Sequence, residues 1–356
     1  MKFGILTYCQ PTGNEQARFN IGDYIQSLAA LQFVKDKGYL FLNREALNEY
    51  KGETLKLILN GWFMHHPGNW PPSEDIDPLF VSFHLNNSVR EQMATPENLR
   101  YFKAHAPIGC RDTSTRQFFQ SHRIGAYYSG CLTLTLGRTY KSQERSDTIY
   151  IVDPIVEHYS TERPTMKEVL SYFFTFVFHF FTLKKIGKKY IEWNSGNGFI
   201  NKENLKYGIR LLRFYRTFKN VISKEVMLKA TYITHFYKVS EYPDDTKRFA
   251  LADDLLRKYA SARYVITSRI HCALPCLGLG TPVIYINNTD ENSISHCRFG
   301  GLGELFQLAS VSINKCKIFS FPYPGVLKWD SVLKNSEKYR VLEKKLWETC
   351  SAFVHE

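Results

Sequence analysis

Tyr264–Ile286, reading YVITSRIHCALPCLGLGTPVIYI, is the stretch that decides the fold. Tyr264–Thr267 is a short apolar, β-branched run, the pattern of a buried strand. Ile270–Leu277 then carries helical spacing, Gly278–Pro282 supplies turn residues, and Val283–Ile286 is a second apolar strand. Strand, helix and strand in close succession form a parallel β-α-β unit. Such a unit places Ser268, Arg269 and His271 at the carboxyl end of a strand, where open α/β sheets bind ligands. Arg269 offers a fork for a carboxylate or phosphate. His271 titrates near neutrality, so it can exchange a proton or hold a phosphate. The helix N-terminus adds free N–H groups and positive potential. A structural arginine beside a core histidine is the plainer reading, but the position after a buried strand favours a ligand site.

The same alternation extends upstream. Phe3–Tyr8, Leu55–Leu59, Leu79–Phe83, Pro107–Cys110, Ala126–Tyr128 and Ile149–Val152 read as strands. Asp23–Val34, Ser114–Phe119 and the amphipathic Lys247–Tyr259 read as helices. This predicts an α/β fold with parallel sheets. The 356 residues suit two domains, and the polar stretch Gln143–Thr148 divides them into 1–147 and 148–356. No internal repeat is visible.

Apolar residues at 44% and charged residues at 22% exclude a disordered or fibrous chain. The net charge of +12 favours anionic partners: phosphorylated metabolites, nucleic acid or an acidic membrane face. The eight cysteines form no Cys-x-x-Cys, so reduced thiols and a cytoplasmic location are expected. Cys272 and Cys276 beside His271 have some metal-site character, but buried cysteines on an apolar helix are much commoner, so no metal is expected. The N-terminus lacks the apolar core of a signal peptide. One segment breaks the pattern: residues 169–183 read VLSYFFTFVFHFFTL, with six Phe, and Lys184, Lys185, Lys188 and Lys189 follow. This 15-residue run is expected to be too short to span a bilayer. A basic amphipathic stretch at 206–222 comes next. Both suit peripheral contact with an anionic membrane through 169–189 and 206–222. A buried or domain-interface helix is the competing reading.

Further candidates lie on the expected loops. In Asn20-Ile21-Gly22-Asp23, Gly22 permits close approach of a ligand, and Asp23 can contact an acceptor hydroxyl or cap the helix that follows. Arg111-Asp112 ends a strand. Either Arg111 points at a phosphate or carboxylate, or Asp112 caps a helix with Arg111 on a surface acid. Asn60, Trp62, Trp70 and His84 cluster polar and aromatic groups that can pack on a sugar. His65 and His66 lack metal-ligand spacing. Arg298 is a further candidate cation. There is no P-loop, no G-x-G-x-x-G after the first strand, and no G-x-S-x-G elbow.

Taken together, Asn20–Asp23, Ile108–Asp112, Tyr128–Thr133, Val265–His271 and Gly280–Ile284 resemble the polysaccharide pyruvyl transferase family. Many members have Asp-Pro where this chain has Ser129-Gly130-Cys131, and the Phe-rich insertion is a second departure. The resemblance implies a GT-B-like enzyme: two Rossmann-like domains facing a cleft, the first on the acceptor side and the second on the donor side. It implies phosphoenolpyruvate as donor and co-substrate, and a sugar residue of a surface polysaccharide or its lipid-linked precursor as acceptor. The product is a pyruvate ketal, with phosphate released and no cofactor. Arg269, Arg111, Ser268 and Arg298 would then bind phosphoenolpyruvate. His271 and Asp23 would be catalytic, and Asn20, Gly22, Asn60, Trp62 and His84 would bind the acceptor. A GT-B glycosyltransferase using a nucleotide sugar is the alternative on the same fold. A non-catalytic membrane or nucleic-acid binder is the rival from another class, and nucleic acid is not the expected partner.

Overall fold

Most strands of this chain are short and apolar, and the inner ones take a neighbour on both edges and cover on both faces. The computed structural model describes residues 2–8, 17–154, 165–195, 202–290 and 299–356. In the first half, the strands are β1 (Lys2–Thr7), β2 (Arg18–Asn20), β3 (Tyr39–Asn43), β4 (Leu55–Phe63), β5 (Ile76–Leu85), β6 (Ile108–Cys110) and β7 (Ala126–Tyr128). The helices among them are α1 (Ile21–Leu31), α2 (Arg90–Met93), α3 (Pro96–Ala104), α4 (Thr113–Ser121) and α5 (Gly137–Tyr140). A parallel sheet is ordered β3-β1-β4-β5-β6-β7.

The second half adds β8 (Ile149–Val152), α6 (Met166–Ser195), α7 (Lys202–Phe218), α8 (Lys224–Lys229), β9 (Thr231–Ile233) and β10 (Phe236–Lys238). It continues with α9 (Asp245–Ser261), β11 (Tyr264–Thr267), α10 (Ile270–Gly278), β12 (Val283–Asn288), β13 (Gln307–Ser312) and β14 (Lys317–Ser320). Its sheet is ordered β14-β13-β12-β11-β8-β9 and is parallel except for the β13–β14 pair. The deciding β-α-β unit forms as read, with Val265 opposite Val283. The chain is thus an α/β protein with two mainly parallel sheets.

Alternation along β8 and β11 sends side chains to two different cores. Tyr150, Val152 and Val265 join a cluster with α1, α9, α10 and the first sheet. Ile149, Ile151, Tyr264 and Ile266 face the opposite way, under Leu183 and Ile186 of α6 and Leu211, Phe214 and Phe218 of α7. The two halves are also stitched directly. β2 pairs antiparallel with β10, Phe19 opposite Tyr237. The helix Tyr339–His355 returns to the first half, where Lys56 Nζ donates to Phe353 O at 2.8 Å and Phe33 packs on Trp347.

Three expectations need correction. Asn60, Trp62 and His84 lie within β4 and β5, not on loops. The strand survives Gly61 because its φ of +106° and a register shift between Leu59 and Gly61 absorb the irregularity. Trp70 is core, stacked on Phe102 at 5.1 Å. The Phe-rich segment is not limited to 15 residues: α6 runs for 30, kinked at His179 (φ −120°, ψ 20°). Its Met166–Lys189 portion, 24 residues, is long and apolar enough to cross a membrane by length and composition alone.

Among the described glycines, the tightest approach is to backbone. A Cβ built on Gly278 of α10 would lie 2.2 Å from Leu134 O in the 3₁₀ segment Leu132–Leu136, and one on Gly137 would lie 1.9 Å from Gly278 O. No rotamer change relieves a contact with backbone. Gly278→Ala should therefore destabilise the protein by about 2 kcal/mol or more, the scale of core overpacking, measured by urea unfolding. A loss near zero would mean that the two segments part easily.

Candidate active site

The site grows from three strand ends and the helices that follow them. Arg111 leaves β6 and is only 1% exposed. Its Nη1 donates at 3.4 Å to His271 Nε2 and at 3.4 Å to Gln26 Oε1. A guanidinium has no acceptor atom, so Nε2 must be the accepting nitrogen of His271 in this arrangement. His271 sits in the first turn of α10, Gly22 in the first turn of α1, and they touch. A Cβ on Gly22 would lie 3.0 Å from His271 Cβ and 3.1 Å from Nδ1. Two helix N-termini thus converge on a histidine and a buried arginine, an environment suited to an anion.

Arg269 is held from below. Its Nε donates to Asp153 Oδ2 at 2.6 Å, and its guanidinium stacks 4.2 Å over the Phe236 ring. Asp153 follows β8 and is buried; the same Oδ2 accepts His235 N–H at 2.9 Å. His235 O in turn accepts Ile21 N–H at the start of α1, 2.9 Å away. Ser268 Oγ donates to Asp153 O, which spends its proton on the backbone. One aspartate therefore positions Arg269 and, through His235, the N-terminus of α1.

Asp23 lies in the first turn of α1, half-buried, and accepts from Gln26 Nε2 at 3.2 Å. It is not the helix cap: Asn20 is, its Oδ1 accepting Gly22 N–H at 3.1 Å. Asn20 is thereby committed to the turn. Asn60 is buried, donating from Nδ2 to Gln26 O at 2.9 Å. His84 is fully buried, with Nδ1 2.5 Å from Asp112 Oδ2. Asp112 caps α4 through Thr115 N–H at 2.8 Å. Of the alternatives for Arg111-Asp112, the aspartate cap forms, while the buried Arg111 points to His271. Trp62 remains half-open, with Arg44 over one ring face at 4.9 Å and His65 4.5 Å from it. Arg298 lies outside the described residues.

The structure adds groups that sequence reasoning missed. Arg44 is buried against Tyr8 and Trp62 and paired with Glu45 at 2.7 Å. Glu45 Oε2 accepts the His65 and His66 N–H groups at 2.9 and 2.8 Å, fixing that loop. Desolvation and then the Arg44 charge push His65 below its ordinary pKa, against the pull of Glu45 and Asp23. Burial pushes the Tyr8 phenol up, and the Asp23 charge adds to it. Arg44, Tyr8, His65 and Asp23 therefore share one electrostatic neighbourhood. The only sequence signals were an Asp153-Pro154 at a strand end and a lone arginine at a strand exit. Among the described residues, no three His, Cys, Asp or Glu side chains gather as a metal set.

The sequence profile described as Polysaccharide pyruvyl transferase matches residues 20–291, more than half of the chain. The chain belongs to that family and is a transferase. No curated protein and no solved structure matches it.

Asp112 also sets a pH dependence. Burial pushes its carboxyl up, but the His84 hydrogen bond, the charges of His84 and Arg111, and the Thr115 N–H outweigh burial and hold it below the ordinary value. A depressed carboxyl contributes stability that is complete above the unfolded value of about 3.9 and is lost as pH falls through the folded value. Asp112→Asn should lower stability at neutral pH by about 2 kcal/mol and flatten the acid limb below about pH 4. Urea unfolding across that range is the check; identical acid limbs would mean that the carboxylate is not held down.

Proposed function

We propose that this member of the polysaccharide pyruvyl transferase family moves the pyruvyl group of phosphoenolpyruvate onto two hydroxyls of one sugar residue. The observation that carries the reading is the contact of Arg111 with His271, with Arg269 braced on Asp153 beside it. Phosphoenolpyruvate carries a carboxylate and a phosphate close together, and two guanidiniums can neutralise both. Residues 148–356 would be the donor side and 1–147 the acceptor side. Asp23, Trp62, Arg44 and His65 would face the sugar.

The chemistry follows from the charges. Arg111 donates to His271 Nε2 in the resting site. A donor anion engaging Arg111 would draw that N–H away and leave Nε2 free to carry a proton. His271 then gives its proton to the methylene carbon of phosphoenolpyruvate, and C2 becomes electrophilic. A sugar hydroxyl oxygen adds to C2 and loses its proton, with Asp23 orienting or accepting. The C2–O bond to phosphate breaks, the electron pair leaving with the phosphate. The second hydroxyl adds to C2 and gives its proton to the departing phosphate, while the first hydroxyl's proton, passed on by Asp23, restores His271. The ketal carries a new methyl group, and no redox step or cofactor enters.

The acceptor would be a repeat-unit sugar of a surface polysaccharide, on a lipid carrier at the inner membrane face. Its enzyme would be cytoplasmic and peripheral, touching the bilayer through 169–189 and 206–222.

An acceptor can be found by screening oligosaccharides and lipid-linked sugars for phosphate release. With it, His271→Gln should lower kcat by about 100-fold or more while KM for phosphoenolpyruvate changes little. Full turnover in the variant would remove the acid assignment.

A further inference from the structure

α6 has two unlike sides. Tyr172, Thr175, Leu183 and Ile186 are buried, and Tyr172 Oη accepts Arg213 Nε of α7 at 3.1 Å. On the other side Phe173 is 59% exposed, Phe178 78% and Phe181 79%, beside exposed Val169, Leu170, Phe174 and Val177. A contiguous apolar surface of this kind on a folded protein marks a contact surface. The run from Val169 to Phe181 is about 20 Å long at the helical rise. Lys184, Lys185 and Lys188, all exposed, follow it.

A groove runs along this side. It has a volume of about 350 Å³ and is lined by Leu170, Phe174 and Phe178 together with Lys167, His179 and Lys219. Among the described residues no carboxylate pairs with Lys167 or Lys219. The nearest acid on the helix, Glu168, is committed to the start of α6. Its Oε2 accepts Thr165 N–H at 2.7 Å, as a capping box does. His179 is fixed at the kink by Tyr215 Oη on Nδ1 at 3.1 Å. Lysines on the rim of a groove lined by rings match a phosphate joined to an acyl chain.

We propose that this groove seats the phosphate headgroup of an anionic bilayer lipid, with α6 lying in the plane of the membrane surface. This rests on the peripheral-membrane reading above, not on pyruvyl transfer. Lying, rather than spanning, follows from the packing. A spanning α6 would have to leave α7 and take Tyr172 away from Arg213, which is 2% exposed. A one-sided apolar face flanked by lysines is the pattern of an interfacial helix.

The test is co-sedimentation of the full chain with phosphatidylcholine vesicles and with phosphatidylcholine–phosphatidylglycerol vesicles. The variants are Lys167→Gln/Lys219→Gln and Phe174→Ser/Phe178→Ser, with Lys103→Gln as an exposed control. Wild type and control should bind the anionic vesicles and bind the neutral ones weakly. The lysine pair should weaken anionic binding by about fivefold per lysine, and the phenylalanine pair should abolish it. Unchanged anionic binding by the lysine pair, with loss in the phenylalanine pair, overturns the headgroup site and leaves the membrane reading standing. A wild type that ignores both vesicles overturns both; sedimentation as a dimer would then place a second copy on this face.

Discussion

The carboxylate of Asp153 is the constraint on which the site depends. It sits at the carboxyl end of β8, in the interior, with the Arg269 guanidinium and the His235 N–H on a single oxygen. Two desolvated charges are tolerable there only because they meet each other; removing one partner of such a pair costs about 3–5 kcal/mol. The geometry this enforces is specific. Arg269 cannot swing to solvent, and the loop carrying His235 is pinned where its carbonyl receives the first N–H of α1. The start of α1 therefore stands against α10, Gly22 against His271. The second sheet thereby fixes the position of an element of the first half.

Much of the fold was legible because buried parallel strands are short, apolar and punctuated by turn residues. Tyr264–Thr267 has the bounds expected of it, and Ile270–Gly278 differs from expectation by one residue. β3, Tyr39–Asn43, was not legible: it is an edge strand with exposed Leu40 and Phe41 and lacks a continuous buried run. β2 and β10 were not legible either, because they form a two-stranded sheet in which each pairs only with the other. The C-terminal end of β4 was misread because Asn-Gly is a turn signal, whereas here Gly61 makes a bulge.

The site was legible in its charged residues and obscure in their supports. Arg111, Arg269, His271 and Asp23 follow strand ends or open helices, and position alone singles them out. Gln26 reads as an ordinary helix residue, yet it bonds Asp23 and Arg111 and receives Asn60. His235 and Asp153 are 82 residues apart in sequence. Such partners are set by tertiary packing, which one sequence does not display. Asn60 and His84 show the converse error: polar residues read as open to a sugar are buried, paired within the first half.

The two guanidiniums, the histidine and the helix N-termini make one demand on a ligand: compact, multiple negative charge. Under the proposed reading phosphoenolpyruvate would meet it with a carboxylate and a phosphate, whereas a nucleotide sugar would need a base and ribose pocket as well. The most direct measurement is calorimetric titration of the protein with phosphoenolpyruvate and with UDP-, GDP- and CMP-sugars, repeated on Arg111→Lys and Arg269→Lys. The account predicts phosphoenolpyruvate binding by the wild type, weakened about tenfold or more in each variant as charge-assisted bonds are lost, and no nucleotide-sugar signal. Nucleotide-sugar binding without phosphoenolpyruvate binding would contradict it and assign the site to glycosyl transfer.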